Sequence, residues 1–200
     1  MKLYYASGAC SLAAVIVAED SDLSIELARV NIRTSPHTVE GGQPLLEINP
    51  KGYVPILVLD SGETLTEGVA ILQYLDDQGS NRQAAAASLE RYRSTEWLTF
   101  IATELHKSFS PWLFHPEYGD QPAVVARARI ADRFDHVEQH LKANDFLLGA
   151  AFTVADAYAF TIIRWAPLKG FDLSAWPAIE AYMGRIESRP AVARAVRRHG

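Results

Sequence analysis

The chain has 200 residues, room for one large domain or two small ones. Apolar residues make up 48% and charged residues 22%, a globular balance that excludes disordered, collagen-like and coiled-coil classes. The 19 Lys and Arg against 24 Asp and Glu leave a formal net charge of −5, so no large basic footprint for duplex nucleic acid is expected.

The charge is uneven along the chain. Residues 1–80 carry 4 basic and 11 acidic side chains, a net −7, whereas 81–200 carry 15 and 13, a net +2. That shift points to two parts. The single cysteine, Cys10, forbids an intrachain disulfide and a Cys-rich zinc site, which fits a reducing compartment and a cytoplasmic protein. No apolar run reaches the roughly 18 residues of a membrane helix, and Met1 to Ser7 lacks an apolar leader core, so Ser7 to Cys10 is read as a loop.

Lys2 to Ala6 reads as a strand closed by Ser7-Gly8, and Ser11 to Ala18 as a helix. Leu23 to Asn31 reads as the next strand. Thr34 to Pro44 is polar and broken by Gly41-Gly42 and two prolines, which gives an irregular connection or a short helix. Pro55 to Leu59, a turn at Asp60-Ser61-Gly62 and Glu63 to Leu65 form a hairpin. Thr66 is placed to cap a helix through Val69, Ile71, Leu72 and Leu75 that ends near Gly79. This β-α-β, β-β-α order makes a small mixed sheet with helices, as in a thioredoxin-like domain.

Beyond Ser88 the apolar residues recur at helical spacing only: Leu98, Ile101, Leu105, Phe109, then Ile130, Phe134, Val137, Leu141, then Ile179, Tyr182, Ile186 and, after Pro190, Val192 and Val196. The second part is a helical bundle. The alanine-rich stretch Ser80 to Ala87 is the linker, set at 81–87 between a 1–80 domain and an 88–200 domain.

Cys10 stands just before the first helix, where unpaired N–H groups and the helix dipole favour a thiolate; a small buried apolar cysteine is the competing reading. Without a second cysteine, any redox role needs an external thiol. Val54-Pro55 enters an apolar strand, either as a Pro that removes no needed ladder bond or as a cis peptide that turns the Val54 backbone toward an extended ligand. Thr66-Glu67-Gly68 sets a carboxylate at a helix start, where N–H groups receive a carboxylate and Glu67 an ammonium, or simply caps the helix. Thr153 and Asp156 form a capping box for a core helix through Tyr158 and Trp165. Thr99, Thr103 and Lys107 lie four apart on a polar stripe. His37, His115, His136, His140 and His199 make no spaced metal set, and no metal or cofactor is expected.

Taken together, Gly8-Ala9-Cys10-Ser11-Leu12, Asn49-Pro50-Lys51-Gly52 with Val54-Pro55, Leu65 through Ile71, Trp97 through Glu104-Leu105-His106-Lys107 and Thr153 through Tyr158 resemble bacterial beta-class glutathione transferases over nearly the whole chain. The resemblance implies the glutathione transferase fold: an α/β thioredoxin-like N-terminal domain, an all-helical C-terminal domain, and a homodimer. It implies conjugation of the glutathione thiolate to a hydrophobic electrophile. Thiol-disulfide exchange or peroxidase activity through a Cys10 mixed disulfide, and a non-catalytic ligand-binding protein, are the alternatives.

By the same resemblance Cys10, Ser11 and His106 are the catalytic set. Lys51, Tyr53, Val54, Pro55, Glu67 and Gly68 hold glutathione, and Thr99, Thr103 and Lys107 reach glutathione in the other subunit. Phe109, Trp112, Phe114 and Trp165 are candidates for the wall of the acceptor pocket, or for plain core. The chain departs from the family at Gly68, where many relatives carry Ser, and at Thr99, where Asn is frequent.

Overall fold

The computed structural model describes residues 1–79 and 88–200, so the linker expected at 81–87 lies outside the described residues. The chain divides into two compact units, Met1–Gln83 with Arg189–Gly200, and Ala84–Ser188.

The first unit is built on a five-stranded sheet of order β3-β2-β1-β4-β5. Its strands are β1 Lys2–Tyr5, β2 Glu26–Asn31, β3 Thr38–Val39, β4 Ile56–Val58 and β5 Thr64–Thr66. β1 runs parallel to β2 with Leu3 opposite Leu27, and antiparallel to β4 with Leu3 opposite Leu57. β4 and β5 form the expected hairpin, Leu57 facing Leu65. Side chains alternate across the sheet, so Leu3 and Leu57 serve one face while Tyr4, Val30 and Ile56 join Leu45 on the other. The polar stretch that the sequence left irregular contains β3, which pairs Val39 with Val30.

The helix α1, Leu12–Asp20, is buried at every position from Leu12 to Ala18. A helix that is apolar all round has to be covered all round. It lies beside α2, Gly68–Gln78, and beside the last helix of the chain, Pro190–His199. That last helix was expected in the helical domain; it packs instead with the first unit. Arg194 and Arg198 both pair with Glu19, and Arg189 reaches Asp20 at 2.7 Å, fixing it along α1.

The longer elements of the second unit's described residues are helices, α3 Leu89–Phe100, a π-helical turn Ile101–His106, α4 Lys107–Phe109, α5 Asp120–Leu141, α6 Val154–Ile163, α7 Trp165–Leu168 and α8 Pro177–Glu187; the last helix of the chain is then α9. Leu98, Ile101, Leu105 and Phe109 form one buried stripe and Ile130, Phe134, Val137 and Leu141 another, at the spacing the sequence shows. The capping box at Thr153 is formed: the Asp156 carboxylate accepts from the Thr153 N–H and hydroxyl, each at 2.8 Å. The same carboxylate takes the Leu147 N–H and the Tyr182 hydroxyl, so it ties α6, α8 and a loop together. Buried Glu138 on α5 caps α8 by accepting from the N–H groups of Ala178 and Ile179 at 3.0 Å. Among the described residues no helix is long and apolar enough to cross a membrane.

Candidate active site

Cys10 lies on the turn between β1 and α1, half-buried, with Sγ 3.8 Å from the Val54 carbonyl oxygen. Ser11, which follows it, is fully buried. Its Oγ stands 3.2 Å from the Ala6 N–H and 2.9 Å from His199 Nε2, so it holds the turn together. A hydroxyl enclosed in this way cannot meet a substrate, and Ser11 is withdrawn from the catalytic set.

The approach to β4 is shaped by Asn49, 2% exposed. Its side chain donates to the Tyr53 carbonyl at 2.9 Å and accepts from the Lys51 N–H at 3.1 Å, closing a loop over Pro50 to Tyr53. Gly52 has φ +74°, a conformation that favours glycine, and a Cβ there would come within 3.1 Å of the exposed Leu46 side chain. The Val54-Pro55 peptide is cis, Pro55 is buried, and Val54 precedes the first ladder residue of β4.

Thr66 does not cap α2. It ends β5, and Glu67 occupies the N-cap position with φ 70°, a left-handed conformation uncommon for a residue with a side chain. Glu67 Oε1 accepts from Lys51 Nζ at 2.6 Å and from the Tyr53 hydroxyl at 2.7 Å, while Lys51 also reaches Thr66 Oγ1 at 3.0 Å. The Glu67 hydrogen bond holds the Lys51 ammonium and the Tyr53 phenol above their ordinary pKa values. These groups are exposed, so the cluster adds little stability and stays open to exchange with a ligand. The N–H groups of Gly68, Val69 and Ala70 precede the first intrahelical bond, from Ile71 to the Glu67 carbonyl at 3.0 Å, and a helix start of this kind suits a bound carboxylate.

In the helical unit the π-helical turn ends at His106. Its Nδ1 stands 2.7 Å from the Tyr158 hydroxyl, and its ring meets Trp165 edge-on at 5.2 Å. Burial, helped by the Lys107 charge, pushes its pKa down to about 4, so the imidazole is neutral at pH 7. Thr99, Thr103 and Lys107 are exposed, and the two hydroxyls donate back to the carbonyls of Thr95 and Thr99. Phe109 is 0% exposed among Phe134, Trp165 and Phe171, which makes it core and removes it from the acceptor wall. Trp112 and Phe114 are exposed, and the Phe114 ring packs edge-on against Trp165 at 5.1 Å. Among the described residues no group of three or more His, Cys, Asp or Glu is placed to hold a metal ion.

Two contributors carry no local mark in the sequence. Tyr158 stands in the apolar body of α6 and His199 belongs to no spaced set of ligands, and nothing beside either marks it as a partner of His106 or Ser11.

Residues 9–78 match the model of the glutathione S-transferase N-terminal domain, and residues 100–190 that of the glutathione S-transferase C-terminal domain. The chain is 42% identical over 202 residues to glutathione S-transferase GstA of Escherichia coli O157:H7, covering 100% of this chain and 99% of that one. The chain belongs to the glutathione S-transferase family. A ternary complex of BphK, a bacterial GST, superposes on this transferase with a TM-score of 0.96 at 44% identity, each chain covered in full. The beta-class enzyme of Sphingomonas chungbukensis follows at 0.94 and 39% identity, covering 100% of this chain and 99% of that one. The transferase therefore falls with the beta class, and the expected fold of a thioredoxin-like unit and a helical unit is the one observed.

Proposed function

We propose that this transferase holds glutathione along Val54, Glu67 and Gly68, with the glutathione sulfur beside Cys10, and joins that sulfur to electrophilic small molecules. The observation that carries the reading is the approach of Cys10 Sγ to the Val54 carbonyl at 3.8 Å, which brings the turn and the strand entry to one place. The backbone of Val54 pairs with the cysteinyl residue, the N–H groups at the start of α2 take the γ-glutamyl carboxylate, and Glu67 takes the ammonium. Lys51 and Tyr53 hold the Glu67 carboxylate in place in the free chain, and Lys51 yields part of it to the ligand ammonium.

Activation consists of presenting glutathione as its thiolate. Within the helical unit His106 is neutral, and the role its Nδ1 takes toward Tyr158 leaves the complementary role to Nε2. The thiolate sulfur forms a bond to the electrophilic carbon. With an aromatic halide the halide leaves with the bonding pair, and the thiol proton is released to solvent. Within the helical unit Trp112 and Phe114 present exposed aromatic surface suited to an apolar acceptor, while Trp165 is buried behind Phe114. The sheet unit is the glutathione-binding domain and the helical unit the acceptor domain. Two copies form a cytoplasmic homodimer in which Thr99, Thr103 and Lys107 of one copy reach glutathione held by the other.

The test is turnover of a model aromatic halide and of a mixed glutathione disulfide by the wild-type chain and Cys10→Ala. Conjugation of the halide supports this reading. Turnover of the disulfide alone, abolished in Cys10→Ala, replaces conjugation by thiol-disulfide exchange, and no turnover of either leaves a binding protein.

A further inference from the structure

The Ser11 hydroxyl is the meeting point of three polar groups. Its Oγ lies 3.2 Å from the Ala6 N–H, 3.3 Å from the Ala6 carbonyl and 2.9 Å from His199 Nε2. A hydroxyl donates once and can accept twice. If His199 Nε2 accepts, Ser11 donates to it while accepting from Ala6; if Nε2 donates, Ser11 turns its proton to the Ala6 carbonyl. In either tautomer Ser11 ties the end of β1 to the start of α1, across the turn that carries Cys10.

His199 is delivered to this point from the far end of the sequence. It is 3% exposed, its ring lies 5.1 Å from that of Tyr5, and a Cβ on Gly200 would stand 3.5 Å from Ser7 Oγ. The helix that carries it is fastened to α1 through Glu19 and Asp20. A ring nitrogen buried in a helix contact costs stability unless it is hydrogen-bonded, and Ser11 supplies that bond. Packing alone would be served as well by an apolar side chain.

We infer, on the reading of Cys10 given above, that His199 is a positioning residue which acts through Ser11 to fix the Ser7–Cys10 turn and so the place of the Cys10 sulfur. The substitution His199→Phe keeps a ring against Tyr5 and removes Nε2, whereas His199→Gln restores a polar nitrogen at similar reach. The Ala9 and Leu12 amides, bonded to the Ala6 and Ala9 carbonyls at 3.1 and 3.3 Å, report the turn by hydrogen exchange. Loss of one hydrogen bond speeds their exchange about tenfold in His199→Phe, and His199→Gln stays at the wild-type rate. Conjugation of glutathione to a model aromatic halide falls in kcat/KM about threefold or more in His199→Phe and is recovered in His199→Gln.

Wild-type exchange and turnover in His199→Phe would overturn the inference. Equal losses in both variants would also overturn it, since they assign the effect to the ring and not to its nitrogen. If His199→Phe does not fold, His199→Leu takes its place in the same comparison. A wild-type chain that turns over no glutathione would defeat the functional reading alone, because the exchange of Ala9 and Leu12 reads His199 without any substrate.

Discussion

His106 Nδ1 and the Tyr158 hydroxyl lie 2.7 Å apart, although 52 positions separate the two residues in the sequence. A neutral imidazole has one N–H, so the role that Nδ1 takes toward Tyr158 sets the opposite role at Nε2. The bond therefore couples the two ring nitrogens, since whichever role Nδ1 takes toward the hydroxyl leaves the other to Nε2.

The first prediction concerns protonation. His106 titrates at about 4, below the ordinary 6.5, because burial disfavours the imidazolium. The unfolded chain then binds a proton at this site before the folded chain does, so stability falls as pH drops from 6.5 toward 4. Imidazole resonances assigned to His106 in a proton NMR titration check this. A midpoint near 6.5 contradicts it.

Tyr158→Phe removes the partner of Nδ1 inside the helical unit. The loss of a hydrogen bond to a buried group costs about 1–3 kcal/mol. Urea denaturation reads the cost, and an unchanged midpoint and slope would show that the His106 ring is held by Trp165 alone.

At Gly68 a Cβ would meet nothing within 4 Å, and its φ lies outside the left-handed region. Gly68→Ser is therefore expected to fold at wild-type stability and to bind glutathione at least as tightly, the added hydroxyl standing at the helix start. Weaker binding by calorimetry, in a folded variant, would mean that the glutathione carboxylate does not lie there.

Thr153→Ala removes one arm of the capping box on α6, and losses of this kind cost about 0.5–2 kcal/mol. Asp156→Asn reaches further, since the carboxylate also accepts from the Leu147 N–H and the Tyr182 hydroxyl. Thermal melts should rank Asp156→Asn below Thr153→Ala. The reverse order would place the main support in the threonine.

Much of this architecture is legible in the chain. The buried stripes of α3 to α5 repeat every three or four residues, and the hairpin shows as Pro55 to Leu65 because a turn sequence splits two apolar runs. The two-residue strand Thr38–Val39 is too short to show alternation and exists only because Val30 and Asn31 offer it an edge. The end of the chain has the helical periodicity of the bundle; what assigns it to the sheet unit is its packing along α1, with Ala191, Val192 and Ala195 buried there and ion pairs to Glu19 and Asp20, some 170 residues away, at its rim. Ser11 enters the catalytic set through the family resemblance, and its burial against Ala6 and His199 reveals a brace instead. Phe109 carried the same ambiguity between wall and core, and aromatic neighbours on three sides decide it.

The measurement closest to the central claim is the rate of Cys10 alkylation by iodoacetamide, followed by mass spectrometry as glutathione is added, in the wild-type chain and in Glu67→Gln. With the glutathione sulfur beside Cys10, saturating glutathione slows the reaction about tenfold or more in the wild type. Glu67→Gln loses a charge-assisted hydrogen bond to the ammonium, of about 1.5–3 kcal/mol, and so needs tenfold or more glutathione for the same protection. Alkylation at one rate with and without glutathione, or equal protection of both chains at equal concentration, would contradict the placement of glutathione along Val54 and Glu67 with its sulfur at Cys10.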